Sequence, residues 1–153
     1  MAGTRPPNAE GEAMRTLPSI SLDEAREVIA AGERRAQDIG QPANIAVVDA
    51  GGNLVAHARM DGAWIGSIDI SINKAYTARA FDIQTRDLAD NAQPREQFFG
   101  IQVSNQGRVM VFAGGIPLQH DGQVVGGVGV SGGTGEQDQA IAEAAAAAYR
   151  PAG

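Results

Sequence analysis

The sequence predicts an α+β domain built on a single antiparallel sheet of about five strands covered by helices. Three observations predict it. Two strand-like runs, 44–49 and 54–59, flank a glycine-bearing connection. Helical spacings stand before and after that hairpin. A second block of strand-like runs, between Arg108 and Val130, leads into an alanine-rich helix. Strands joined by short turns pair antiparallel, whereas a parallel sheet needs a long crossover between each pair.

Each element has a local cause. Ser21-Leu22-Asp23-Glu24 is a capping box, with hydroxyl and carboxylate placed to satisfy free amides at a helix start. Leu22, Ala25, Val28, Ile29, Gly32 and Ala36 then recur at helical spacing, and Gly40 and Pro42 stop the helix near Ile39. Ala50, Gly51, Gly52 and Asn53 reverse the chain between the first two strands. After the turn residues Met60 to Ala63, the spacing of Ile65, Ile68, Ile72, Tyr76 and Arg79 predicts a helix over about 66–81. Thr85 is placed to cap a short helix over 86–91, and Pro94 to open another through Phe99. Strands are expected over 108–113, 116–120 and 123–130, with Asp121-Gly122 as the tight turn between the last two. Thr134 and Gln137 form a second capping box, and the helix they start is expected to run to about Tyr149.

The 153 residues suit one domain, expected over 19–149, with a flexible tail over 1–18 and a short carboxy-terminal tail over 150–153. The first 18 residues carry a proline pair and mixed charge but not the apolar core of a signal peptide, and no uncharged apolar run approaches a membrane span. The cytoplasm is the default compartment. A net charge of −6, with none of the 12 Lys and Arg clustered, argues against nucleic acid and anionic membranes as partners. The absence of cysteine removes disulfides, thiolate nucleophiles and iron–sulfur clusters. His57 and His120 lack close ligand spacing, so no metal site is expected, and each reads as an exposed histidine.

Few residues carry a chemical signal. Gly127-Val-Gly129-Val-Ser-Gly132 satisfies the dinucleotide glycine pattern, but that pattern requires a further strand with an acidic residue about 20 positions on, and the sequence stops at Gly153. A phosphate at the following helix start would also meet Glu136 and Asp138. The glycines therefore read as a place where strand and helix pack closely, or as a ligand-facing wall. Ile70, Lys74, Thr77 and Phe81 fall on one helical stripe, on which Lys74 either snorkels to water or faces, with Thr77, a ligand carboxylate or carbonyl. Asp49 and Asp61 suit turns, and Asp61 has the better claim to function. Ser131 has no neighbouring histidine to make it a nucleophile.

Four ordered blocks, Val47 to Ala63, Lys74 to Ala78, Gly114 to Leu118 and Gly126 to Asp138, resemble the GlcG/HbpS family and the carboxy-terminal domain of PduO proteins. The similarity spans about Ser19 to Tyr149 and is weakest over 86–107. It implies a profilin-like or PAS-like sheet, a homo-oligomer, and a family with haem-binding members, some linked to haem degradation or redox sensing. Carried onto this chain, it points to Met60, Asp61, Lys74, Thr77, Gly114, Gly115 and Ser131 as residues of one cleft, to which the helical stripe adds Phe81. Three functions are consistent with these residues. One is a small ligand-binding carrier, sensor or accessory subunit, with haem the cofactor the resemblance suggests. Another is a cofactor-free enzyme on a small oxygenated metabolite, with Lys74 polarising a carbonyl and Asp61 moving a proton. The third is a structural homo-oligomer.

Overall fold

A computed structural model describes residues 13–151. In chain order the elements are α1 (Leu22–Ile39), β1 (Asn44–Asp49), β2 (Leu54–Arg59), α2 (Gly66–Phe81), α3 (Thr85–Asn91), β3 (Gly115–His120), β4 (Gln123–Ser131) and α4 (Gly135–Ala147). The strands form one sheet in the order β2-β1-β4-β3, every neighbouring pair antiparallel. Both capping boxes form: Ser21 Oγ accepts from the Glu24 amide and Thr134 Oγ1 from the Gln137 amide, each returned by the partner side chain.

The sheet separates two layers. On one face, Ile45, Val47, Val128 and Val130 pack with Val28 of α1 and Ile141 and Ala145 of α4 to make the main core. On the other face, Ala46 and Val48 meet Ala75 of α2, with Ile72 beside them. Gly129, paired with Ala46, lies on this second face. A Cβ there would collide with the Ser71 carbonyl and the Ala75 backbone, so α2 lies directly on bare strand backbone. The glycine pattern that mimics a dinucleotide fingerprint is thus a packing device.

The structure departs from expectation in the middle of the chain. Among the described residues the sheet has four strands rather than about five, because residues 108–113 form no strand. The outer edge of β3 is left unpaired, and side chains of α2 claim the segment instead. The Met110 amide donates to Thr77 Oγ1 at 2.9 Å, and the Arg108 guanidinium lies 4.0 Å above the Tyr76 ring. Residues 94–99 form turns rather than a helix, and two short 3-10 turns follow at Ile101–Val103 and Asn105–Gly107. Thr85 is the first residue of α3 and does not cap it; its hydroxyl accepts from the Gly115 amide at 2.8 Å. The last helix ends at Ala147, two residues short of Tyr149.

At the amino end, residues 1–12 of the expected tail lie outside the described residues, and residues 13–18 are exposed without regular structure. Ile20 is buried, its amide donating to Val125 O at 3.0 Å. At the other end, residues 152 and 153 lie outside the described residues. No helix among the described residues is long and apolar enough to cross a membrane.

Candidate functional site

Lys74 sits in the middle of α2, on the side that meets β4, and is only 2% exposed. Its Nζ donates to Val130 O at 2.9 Å and to Asp138 Oδ2 at 3.0 Å. Asp138 lies in the first turn of α4, where its other oxygen accepts from the Gly133 amide at 2.9 Å. One ion pair therefore ties α2, the end of β4 and the start of α4 together. Burial pushes the Lys74 ammonium below the usual lysine range, against the pull of Asp138. Burial also pushes the Asp138 carboxyl up, opposed by Lys74 and by the amides of Gly133 and Gly132. Desolvation thus drives both partners toward their uncharged forms.

Above this pair opens a cleft of about 460 Å³. Ser67, Lys74, Ser131 and Asp138 contribute its polar groups, and Ser131 Oγ meets Ser67 Oγ at 3.1 Å. Trp64, Ile70, Val111 and Phe112 supply most of its apolar lining. Trp64 is 66% exposed and Phe112 57%, although both are large and apolar. A second hollow of about 450 Å³, with Arg86, Glu136 and Glu143 among its lining, shares Ala113 and Gly135 with the first.

Of the residues predicted to line one cleft, the structure brings together Lys74 and Ser131. Thr77 is fully buried about one turn from the carboxy-terminal end of α2, its hydroxyl donating to Asn73 O at 2.7 Å and accepting from Met110. Gly114 and Gly115 lie behind the cleft, their amides given to Gln139 and Thr85. Gly114 has φ +119°, and a Cβ there would stand 3.1 Å from Lys74 Nζ, so this glycine leaves room for the buried amine. Met60 and Asp61 line a separate hollow with Glu33 and Arg59, because the turn after β2 carries them to the α1 side. Phe81, at the far end of α2, borders a third hollow with Gly52 and Tyr76.

Asp138, Trp64, Ser67 and Phe112 were not anticipated as site residues. Asp138 had a readable signal: Ile141, Ala142 and Ala145 follow it on the buried side of α4 at helical spacing. The apolar run carrying Phe112 has a strand's pattern but forms no strand, and this is what sets Phe112 at the cleft mouth. His57 and His120 lie outside the cleft lining. His57 Nε2 is buried without a hydrogen-bond partner, and burial together with the Arg59 charge holds the imidazole below its ordinary pKa. No trio of His, Asp or Glu among the described residues is placed to hold a metal ion.

The family description "Haem degrading protein HbpS-like" matches residues 20–147. An uncharacterised 15.0 kDa protein of Citrobacter freundii, from the dhaT-dhaS intergenic region, is 44% identical over 129 residues, covering 84% of this chain and 91% of that protein. Among solved structures, the ORFY protein of Klebsiella pneumoniae superposes with a TM-score of 0.88 at 38% identity, covering 92% of this chain and 97% of that one. A PduOC:haem complex superposes with a TM-score of 0.81 at 37% identity, covering 85% and 94%.

Proposed function

The chain belongs to the HbpS-like family, and on that premise we propose that it is a small ligand-binding protein whose cleft takes a flat, apolar-bodied molecule, with haem the candidate its relatives suggest. One observation carries the reading: Trp64 and Phe112 stand exposed at the mouth of a cleft whose floor is a buried, hydrogen-bonded ion pair. Large apolar side chains left in water beside convergent polar groups are the usual construction of a small-molecule site. The PduOC:haem complex supports haem as that molecule. The four-stranded sheet is read here as the profilin-like or PAS-like arrangement of that family.

The lining suits a macrocycle better than its metal. Trp64, Ile70, Val111 and Phe112 offer planar and branched apolar surface, but no imidazole, thioether, thiolate or phenol is among the lining residues to reach an iron. The cleft therefore accounts for gripping the ring and for no chemistry at iron. Titration with haemin is expected to give a saturable change in visible absorption at micromolar protein, and Phe112→Asp to weaken it. No saturable change would remove haem as the ligand.

A second reading is favoured by the Lys74–Asp138 pair, which places an amine and a carboxyl 3.0 Å apart on a cleft floor. It is a cofactor-free enzyme in which Lys74 polarises a substrate carbonyl and Asp138, rather than Asp61, moves the proton. Asp61 drops out because it lines a different hollow. A self-assembled homo-oligomer is compatible with either reading, since Leu54, Ile65, Phe98, Phe99 and Val103 are also exposed. The cytoplasm is the compartment proposed for it.

A further inference from the structure

Haem carries carboxylates, and a buried lysine invites the idea that it receives one. The charge count at the floor opposes this. Lys74 and Asp138 are the two ionisable groups in the cleft lining, and they face each other at 3.0 Å. With the proton on nitrogen the pair is +1 and −1; with the proton moved to oxygen both are neutral. The floor has no net charge in either state. Its margin is no more welcoming to an anion, because the adjoining hollow places Glu136 and Glu143 against Arg86 alone. The positive end of α4 is also spent, since Asp138 and Glu136 occupy its first turn and Asp138 already accepts from the Gly133 amide.

The floor does have spare donors. An ammonium has three N–H groups, and Lys74 gives two, to Val130 O and Asp138. If the proton sits on Asp138 instead, the amine accepts from it, gives one N–H to Val130 O and again retains one. Ser67 and Ser131 hold two hydroxyl protons between them, and their mutual hydrogen bond uses one. An unused N–H and an unused O–H beside an apolar wall, with no net charge, are complementary to a neutral acceptor oxygen. A carboxylate placed there would be desolvated without a counter-charge and set beside Asp138.

We infer that the floor of this cleft recognises an uncharged carbonyl or amide oxygen borne on an aromatic or aliphatic body, and discriminates against the matching carboxylate. This rests on the ligand-cleft reading and names the chemistry at its base; the acids of a bound haem would then point outward to solvent.

The chain's single tryptophan is Trp64, at the cleft mouth, so its emission reports occupancy directly. Benzamide and benzoate, nearly equal in shape, are the probes, titrated against the full chain at pH 7. Benzamide is expected to shift Trp64 emission saturably and to bind about tenfold or more tighter than benzoate. Ser67→Ala, which removes a hydroxyl and leaves the ion pair in place, should weaken benzamide severalfold while leaving the urea midpoint nearly unchanged. Benzoate binding as tightly as benzamide, or more tightly, overturns the inference while leaving a ligand cleft. Benzamide failing to saturate where haemin does also overturns it and leaves the haem reading standing. Benzamide saturating where haemin does not upholds the inference and removes haem alone.

Discussion

Depth makes the Lys74–Asp138 contact consequential. Removing one member strands the other, uncompensated, inside the fold. Lys74→Met or Asp138→Leu alone is therefore expected to cost about 3–5 kcal/mol, and the double substitution, which removes both charges, far less than the sum. Urea denaturation of the two single variants and the double variant measures the coupling directly. His57 gives a separate prediction in pH. Its folded pKa lies below 6.5, held there first by burial and then by Arg59. The unfolded chain consequently takes up the proton first, so the contribution of His57 is fully present above pH 6.5 and is lost as pH falls through the folded value. An NMR titration of the imidazole should give a midpoint below 6.5. Over the same acidic window, the urea midpoint of the wild type should fall faster than that of His57→Phe.

At the scale of the element, what is local was legible. The capping boxes at Ser21 and Thr134, the Gly40 stop and the hairpin over 44–59 were read correctly because each depends on residues within a few positions of one another. Ser21→Ala should cost about 1 kcal/mol, read from the thermal or urea transition. Residues 108–113 were not legible, because the short apolar run Val109 to Ala113 satisfies a buried strand's pattern, yet it does not pair along the open edge of β3. Their placement was decided by Thr77 and Tyr76, some thirty residues earlier. Gly129 shows the reverse case, a pattern over-read locally as a nucleotide loop whose meaning lies in the helix above it. Gly129→Ala should destabilise by about 3 kcal/mol, at the severe end of overpacking, since the obstruction is backbone that cannot rotate away. Gly40→Ala, in open space but at φ +70°, should cost less.

For the whole molecule, the exposed apolar side chains form the basis of one more expectation. Light scattering should return a mass that is a multiple of 15.8 kDa, and Ile65→Asp with Val103→Asp should lower it. A monomer at high concentration would remove the oligomer from the proposal. Little of the candidate cleft's lining was legible from the chain. Lys74 and Ser131 line one hollow, whereas Met60, Asp61 and Phe81, expected with them, lie in others. By itself the sequence determined the α+β class, the helix limits set by caps and glycines, and a lysine on one stripe of α2 with Ile70, Thr77 and Phe81, because these follow from periodicity and near-neighbour hydrogen bonding. Only the tertiary structure decided that this lysine is neutralised by Asp138, 64 positions away, and that Trp64 and Phe112 flank it. Such partnerships depend on which strand edges and helix faces are free once the chain has packed, and no local pattern records that.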